Sequence, residues 1–345
     1  MTFDSKGRRL ITGGRDGCLK IWNFNNGQCL KTLKKDGKCR EVCDCIFFKV
    51  HRNFYVMSVG GDRRIDIYSD NAEGLHHVQR PQPSWQDDLI NGHKGDILCL
   101  AHCPPSLLAT SSCDGEIIVW NMVSRRILCR FVSPLEAEDQ YTEGLDTSVP
   151  SIIFLKNLKL QQFSTTALLS SGSRGYVNLW NVLSGGKLVS NFKASKFRQK
   201  ITKLAKTDKD MLLYTADRIG YVYVYNMEKF DPEQKSPRVE TFWRAHISTI
   251  TGLQIVDSNQ VVLTSSTDHT VRLWSARGES IGTFGQPEIW SVHIRSSWMH
   301  PGVPYELLID PLSMPDHGIL NGKSHLFEAI SPDTTEADRG ELKTL

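Results

Sequence analysis

The sequence predicts an all-β fold built from six copies of one four-stranded unit, the arrangement of a β-propeller. Three observations predict it. An aromatic residue recurs every 45 to 60 residues, it ends a run of alternating apolar residues, and that run follows a turn rich in glycine and aspartate. Alternation of period two indicates strands, and a turn between two such runs makes a hairpin. Four strands at this spacing are typical of a propeller blade.

The hairpin is the most regular part of the repeat. Its six copies are ITGGRDGCLKIWN, MSVGGDRRIDIYS, ATSSCDGEIIVWN, LSSGSRGYVNLWN, YTADRIGYVYVYN and LTSSTDHTVRLWS. The aromatics that end them lie 46, 52, 60, 45 and 49 residues apart, and they are Trp22, Tyr68, Trp120, Trp180, Tyr225 and Trp274. A further strand follows several of them, as in RRILCRF, and another precedes the hairpin, as in DILCLAH.

These motifs resemble the WD-repeat β-propeller family. The family's Gly-His pair is present as Gly92-His93 and, in weakened form, as Ala245-His246. Its turn aspartate stands six residues before the aromatic in four copies, as Asp16, Asp62, Asp114 and Asp268. Copies four and five depart from the pattern with Arg174 and Ile219 at that position, and Asn or Ser follows every aromatic where the family has Asp.

The resemblance covers roughly residues 1–285, which we expect to form the propeller. Its first blade is expected to be incomplete, because Met1 to Asp4 begin where a first strand should be ending. We therefore expect either a piece or short isoform of a longer seven-bladed or double propeller, or a ring that residues 286–345 help to close. Residues 286–330 are rich in proline yet apolar, and are expected to pack on the propeller or lead to another domain. Residues 331–345 are expected to be disordered.

The stretch SSTDHTVRLW raises the question of a hydrolase triad, because it holds Ser265, Asp268 and His269. The resemblance implies another role: in the family, the turn Asp, the His of the Gly-His pair and the blade Trp form a structural hydrogen-bond network. The residues it assigns to such networks are His246, Asp268 and Trp274, then His93, Asp114 and Trp120, with Asp16, Trp22 and Trp180 at matching positions. Similar serines recur in other copies, so we predict architecture here and a solvent-facing turn for His269.

Other chemistry finds little support in the sequence. A phosphate-binding glycine loop, an H-E-x-x-H zinc pair and a calcium loop are all absent from it, so we predict neither an enzyme nor a cofactor or metal. The nine cysteines, all between Cys18 and Cys129, are odd in number and fit a reducing compartment. Apolar runs are too short to cross a bilayer and the start lacks a signal peptide's apolar core. We expect a cytoplasmic location and no membrane.

Positive charge is concentrated in turns that a propeller would place on one face. Four hairpin turns carry arginine, and the connection KASKFRQKITKLAK adds more basic residues. The candidate partner-binding face is Arg15, Arg63, Arg64, Arg174, Arg218, Lys193, Lys196, Arg198 and Lys200. The preceding connection is acidic, with Glu136, Glu138, Asp139, Glu143 and Asp146. The alternatives are ordinary solvated loops and a basic face that docks an acidic partner.

We predict a non-catalytic scaffold for protein–protein interaction. The segment TFGQPEIWSV with the following YELLIDPLSMP is similar to WD repeat-containing proteins 49 and 64, a group associated with cilia and flagella. That likeness implies an axonemal component, with tubulin tails or other axonemal proteins as acidic partners. Two alternatives stay open: a substrate receptor of a ubiquitin ligase, whose Trp-Asp-x-Arg motif the sequence does not match at Trp120, and a nucleic-acid-binding propeller, for which Phe197 is the one obvious stacking residue in the basic segment.

Overall fold

A computed structural model describes residues 1–33, 40–50, 53–70, 91–134, 146–156, 167–228, 230, 236–285, 291–297 and 304–313. These residues form six antiparallel sheets, arranged as the blades of a six-bladed β-propeller. Five sheets have four strands, and the second has three, with residues 71–90 after it outside the described part. The fold class predicted from the repeat is confirmed. The tail of residues 331–345, expected to be disordered, lies outside the described residues.

The first three blades follow the chain in order. Blade one holds β1 Thr2–Phe3, β2 Arg9–Gly13, β3 Leu19–Asn23 and β4 Cys29–Leu33. Blade two holds β5 Val42–Val50, β6 Asn53–Gly60 and β7 Ile65–Ser69. Blade three holds β8 Ile97–Cys103, β9 Leu107–Ser112, β10 Glu116–Asn121 and β11 Arg126–Val132. Blade one therefore has all four strands, so the expectation of an incomplete first blade is wrong; residues 2 and 3 pair with β2 as a two-residue β1.

The last three blades repeat the plan. Blade four holds β12 Ile152–Leu155, β13 Ala167–Ser171, β14 Tyr176–Asn181 and β15 Lys187–Lys193. Blade five holds β16 Ile201–Lys206, β17 Leu212–Asp217, β18 Tyr221–Asn226 and β19 Arg238–Arg244. Blade six holds β20 Ile250–Val256, β21 Val261–Ser266, β22 Val271–Ser275 and β23 Ser280–Thr283. Within the described ranges, short 3-10 turns lie at Ser173–Gly175, Asp257–Asn259, Arg295–Ser297 and Pro311–Ser313, and one helix, α1, spans Tyr305–Ile309.

The core consists of apolar layers between consecutive blades. Side chains along a strand alternate between the two faces of its sheet, and apolar layers join blade one to two, two to three, three to four, four to five and five to six. Trp180 of blade four packs on Phe131 of blade three with ring centroids 4.4 Å apart, and Tyr225 of blade five packs on Phe192 of blade four at 5.2 Å. The blade aromatic thus fixes its own sheet to the preceding one.

Trp22 is the exception among the six blade aromatics. The other five are buried, whereas Trp22 is half-buried on the face of blade one that points away from blade two. Phe3 and Phe24 lie in edge-to-face contact at 5.0 Å, and both are exposed.

Candidate partner-binding edge of the propeller

One edge of the disc gathers the features that the sequence singled out. In blades three to five, the hairpin turn between the second and third strands contacts the loop that leads to the next blade. Gly175 O accepts hydrogen bonds from the amides of Ala194 and Ser195, and Gly220 O accepts them from Ala245 and His246. We call this the turn edge. The turns between the third and fourth strands lie at the opposite edge.

In blade six the structure brings the three network residues together. His246 lies with Nδ1 2.9 Å from a carboxylate oxygen of Asp268 and Nε2 2.8 Å from Thr264 Oγ1. The indole of Trp274 donates to that same Thr264 oxygen over 2.9 Å. A neutral imidazole protonated on Nδ1 satisfies every group: Trp274 donates to Thr264, Thr264 to His246, and His246 to Asp268.

The charges of this network follow from its burial. Burial lowers the pKa of His246 although Asp268 acts in the opposite direction, so the ring is neutral at physiological pH. Burial also opposes ionisation of Asp268, but the hydrogen bonds from Thr270 and His246 outweigh it and hold the pKa of that carboxyl below its ordinary value. The neutral ring beside a hydrogen-bonded carboxylate staples the turn to the loop before the blade.

Blade three keeps the histidine, hydroxyl and indole of this network, but its histidine forms no hydrogen bond to a carboxylate among the described residues. His93 Nε2 lies 2.7 Å from Thr110 Oγ1, which also accepts the indole N–H of Trp120 at 2.9 Å. The carboxylate nearest His93 Nδ1 belongs to Glu116, at 3.2 Å, while Asp114 accepts from Ser112 and from the Glu116 amide. Burial lowers the pKa of His93 to about 4. The expected hydrogen bond of His93 to Asp114 is not formed, and among the described residues His93 Nδ1 and the Glu116 oxygen beside it are buried without a hydrogen-bond partner.

The sequence reasoning missed the hydroxyl at the centre of each network. Four indoles donate to a hydroxyl ten residues earlier: Trp22 to Thr12, Trp120 to Thr110, Trp180 to Ser170 and Trp274 to Thr264, each at 2.9 Å. The two tyrosine blades keep Ser58 and Thr215 at the same spacing. In every copy, a serine or threonine stands ten residues before the aromatic, and this spacing could have predicted the bond. It is hard to recognise because other small residues surround the hydroxyl residue at the end of the strand.

Blade one carries a reduced form of this arrangement. Asp16 is exposed and accepts a hydrogen bond from the amide of Cys18 at 3.1 Å, which closes its turn. Its carboxyl has a lowered pKa, chiefly through that hydrogen bond. The Trp22 indole bonds to Thr12 and makes no contact with this carboxylate among the hydrogen bonds of the described residues. Asp16 therefore acts in the turn of blade one.

Blade five replaces the network with a buried carboxylate. Ser195 stands where His246 stands in blade six, and its hydroxyl donates to Asp217 over 3.1 Å. The other Asp217 oxygen accepts from the amides of Ile219 and Tyr221 at 3.1 and 2.9 Å. Asp217 is fully buried, and burial raises its pKa to about 6 against these hydrogen bonds. The turn carboxylate missing at Ile219 is thus supplied two positions earlier.

The serine of the hypothetical triad does not join its neighbours. Ser265 Oγ lies 3.3 Å from Thr251 Oγ1, whereas Asp268 faces His246. His269 is exposed, with a backbone φ of 65°, in the left-handed region. Ser265, Asp268 and His269 therefore point to three different surroundings.

Six basic residues surround the turn edge of blades four and five. Arg174 lies in the hairpin turn next to Gly175, and Lys196 and Arg198 lie in the loop that this turn contacts. The amide of Arg218 donates to the carbonyl of Lys200 over 3.0 Å, which joins the blade-five turn to the same loop. With Lys193 at the end of β15, these residues form what we call the blade-five cluster: Arg174, Lys193, Lys196, Arg198, Lys200 and Arg218.

Two members of the cluster have informative contacts. Lys200 is ion-paired with Asp146 at 2.5 Å, and that aspartate belongs to the acidic connection before blade four. Lys196 places its ammonium 5.7 Å from the ring centres of both Phe197 and Phe242. Lys196 and Phe242 are exposed. The other acidic residues of the connection lie outside the described residues, namely Glu136, Glu138, Asp139 and Glu143.

The remaining basic residues of the predicted face lie on blades one and two. Arg15 and Arg63 are exposed in their hairpin turns, and Arg64 is half-buried. Arg63 Nη1 donates to the carbonyl of Lys94, and its φ is 61°. These three residues share the turn edge with the blade-five cluster but belong to other blades. The predicted face is therefore two groups along one edge.

The described residues also bear on metals, thiols and membranes. Groups of metal-binding side chains were not found among the described residues. Eight cysteines in the described ranges are free thiols, and Cys39 lies outside them. Burial raises the pKa of several of these, to about 12 for Cys99. Across the described ranges, no helix is long and apolar enough to span a membrane.

The repeated sheets, joined at the turn edge, are the blades of a six-bladed β-propeller. The family model described as "WD40: WD domain, G-beta repeat" matches residues 1–23, 86–121 and 237–275, which lie in or beside blades one, three and six. Together with relatives that carry the WD-repeat name, these matches support the WD40 repeat family for this chain.

Relatives of this chain include proteins named "WD repeat-containing protein on Y chromosome". That of Anopheles gambiae is 25% identical over 84% of this chain and 34% of its own length, and that of Drosophila mojavensis is 21% identical over 99% and 34%. The chain thus spans about a third of the length of these relatives. A solved chain from "Crystal Structure of Mitotic Checkpoint Complex" matches with a TM-score of 0.59 and 12% identity over 79% of this chain and 74% of that one, which shows the fold alone.

Proposed function

We propose that this chain is a non-catalytic interaction scaffold whose blade-five cluster docks an acidic protein segment. The observation that carries the proposal is the convergence of six basic residues from two hairpin turns, a strand end and one loop onto a single part of the turn edge. Charge concentrated in this way steers and orients an oppositely charged partner.

The non-catalytic part of the proposal rests on the roles of the polar groups. The histidines that could act as bases, His93 and His246, are buried in networks that hold the turns. Ser265 is the nucleophile that a triad would need, but its hydroxyl contacts Thr251 and neither His93 nor His246. In a scaffold, such polar groups hold the turns in place. WD propellers typically bind protein partners.

For the partner we propose an acidic tail, with tubulin tails of the ciliary or flagellar axoneme as the specific candidate. The likeness to WD repeat-containing proteins 49 and 64 supports this choice. The location that follows is cytoplasmic, in a cilium or flagellum.

The test compares two double charge reversals in the full chain. Arg174→Glu with Lys196→Glu alters the cluster, and Arg126→Glu with Lys187→Glu makes the same change of four charges at the opposite edge. Each lowers the formal net charge from +3 to −1. We measure binding of a labelled acidic tubulin-tail peptide by fluorescence anisotropy at two salt concentrations.

We expect at least tenfold weaker binding for the cluster variant and little change for the opposite-edge variant, with steep salt dependence in the unaltered chain. Equal losses in both variants would show that net charge alone attracts the peptide and would refute the docking site. Tight, salt-steep binding of single-stranded RNA to the same cluster would favour the nucleic-acid alternative. Co-purification with a cullin adaptor would favour the ubiquitin-ligase alternative.

A further inference from the structure

The segment of residues 304–313, which includes α1, lies against the turn edge of blades five and six. Leu307 is 2% exposed and belongs to the apolar layer between these blades. We call residues 304–313 the docked segment. Its other large apolar side chains face solvent, since Tyr305, Leu308 and Ile309 are all exposed. One leucine therefore anchors the segment by apolar burial.

Two arginines of the propeller meet the acidic residues of the docked segment. Arg244 Nη2 lies 2.9 Å from a carboxylate oxygen of Asp310, and Arg272 Nη2 lies 3.7 Å from one of Glu306. The leucine sits between the two acids in sequence. The hydroxyl of Tyr221 also donates to the carbonyl of Leu312. The site thus combines a buried position for one leucine side chain with two positively charged guanidinium groups.

The two arginines are held by the propeller itself. Arg244 Nε donates to the carbonyl of His246 at 3.0 Å, and its guanidinium lies 5.3 Å from the ring centre of Tyr221. Arg272 Nη1 donates to the carbonyl of Ala245 at 2.8 Å. Among the described residues, Arg244 Nη1 and Arg272 Nε are buried without a hydrogen-bond acceptor. Carbonyl groups of the propeller therefore orient both guanidinium groups, and each keeps one N–H that a carboxylate could accept from.

We propose that this site is a recognition pocket for an acidic segment carrying a leucine between two carboxylates, and that the docked segment occupies it intramolecularly. The occupant it fits is a short helical peptide of another protein with the Glu-Leu-x-x-Asp pattern. Such a peptide exchanges with the docked segment, since only one buried leucine, two ion pairs and the hydrogen bond from Tyr221 are described as holding that segment in place. The acidity of the outside partner follows from the proposed function, whereas the pocket stands on the burial of Leu307 and the two arginine–carboxylate contacts.

The pocket lies next to the blade-five cluster. The ring of Phe197, in the cluster's loop, packs on Tyr221 at 5.0 Å between ring centres. Tyr221 in turn contacts both Arg244 and the docked segment. An acidic partner that first meets the cluster is therefore brought to the edge of the pocket. The partner can enter the pocket only after the docked segment has left it.

The test uses the full chain and a labelled peptide of residues 304–313, PYELLIDPLS. In one variant, Leu307→Ser with Asp310→Asn weakens the hold of the docked segment. We expect this variant to bind the peptide at least tenfold more tightly than the unaltered chain, measured by fluorescence anisotropy. A second variant, Glu306→Lys, changes a largely exposed side chain and is expected to raise peptide affinity several-fold without endangering the fold.

Control peptides define the specificity. Peptides carrying Leu307→Ala, or Glu306→Gln with Asp310→Asn, are expected to bind the first variant at least tenfold more weakly than PYELLIDPLS. Equal binding by the unaltered chain and both variants, or indifference to these peptide changes, would overturn the pocket. Adding Arg174→Glu and Lys196→Glu separates the two proposals. That combination is expected to lose the tubulin-tail peptide and to keep PYELLIDPLS.

Discussion

Replacing Asp217 with asparagine should remove a specific dependence of stability on pH. The folded protein holds this carboxyl with a pKa of about 6, whereas its ordinary value is 3.8. The stability that protonated Asp217 contributes is fully present below pH 3.8 and is lost as the pH rises through about 6. A rise of about two in pKa corresponds to about 3 kcal/mol of unfolding free energy between about pH 4 and 7.

Asparagine suits this comparison because it keeps the shape and does not titrate. Its carbonyl oxygen can accept from the amides of Ile219 and Tyr221, as Asp217 does, and its amide can donate to Ser195. Burial of His93 has the opposite effect, because a histidine with a pKa of about 4 loses stability as the pH falls from 6.5. The difference between chain and variant cancels that contribution.

The measurement is urea unfolding of the unaltered chain and Asp217→Asn, followed by circular dichroism at pH 4, 5, 6 and 7. The free energy of unfolding of the unaltered chain minus that of the variant should fall by about 3 kcal/mol from pH 4 to 7. A difference that stays constant across this range would refute the account of Asp217 as a carboxyl that burial keeps protonated at mildly acidic pH.

Two further predictions concern the turn edge of blade six and its neighbour. Thr264→Val should lower the free energy of unfolding by about 2–3 kcal/mol, because it leaves the indole of Trp274 and the ring of His246 without their shared partner. Gly220→Ala should cost about 3 kcal/mol or more, since an added Cβ would lie 1.9 Å from the carbonyl oxygen of His246 in a backbone with a φ of +93°. Both are read from urea midpoints.

Matched controls make these two results interpretable. Thr251→Val removes a hydroxyl from an exposed strand position and should change stability by less than about 0.5 kcal/mol. Gly7→Ala has a positive φ of +66° but no atom within 4 Å of the added Cβ, so it should cost only about 1–2 kcal/mol. If Gly220→Ala cost no more than Gly7→Ala, the close approach of the loop to the turn would be wrong.

The sequence predicted what depends on local pattern and missed what depends on distant packing. The hairpin copies predicted the strands because alternation and turn residues act over a few positions. The contact between Arg244 and Asp310 joins residues 66 apart, and neither residue has a local pattern that marks it. Glu116 replaced Asp114 beside His93 through the choice between two nearby carboxylates, which side-chain packing decides.

Blade five shows a miss of another kind. In the sequence, Ile219 stands at the position where four other copies carry the turn aspartate. The turn of blade five was therefore expected to be altered. The structure supplies the carboxylate from Asp217, which accepts the turn amides of Ile219 and Tyr221 in its place. The residue was visible in the sequence, but its equivalence appears only when hydrogen bonds rather than alignment positions are compared.

The fixed offset of ten residues between hydroxyl and aromatic restricts where the repeat can change length. The aromatics are separated by 45 to 60 residues, yet every copy keeps the offset. One residue inserted into the hairpin would turn either the hydroxyl or the indole to the opposite face and break their bond. Where the structure describes the connections between hairpins, they carry no such bond. Insertions and foreign sequence can therefore be accommodated between the hairpins of this chain, and not within them.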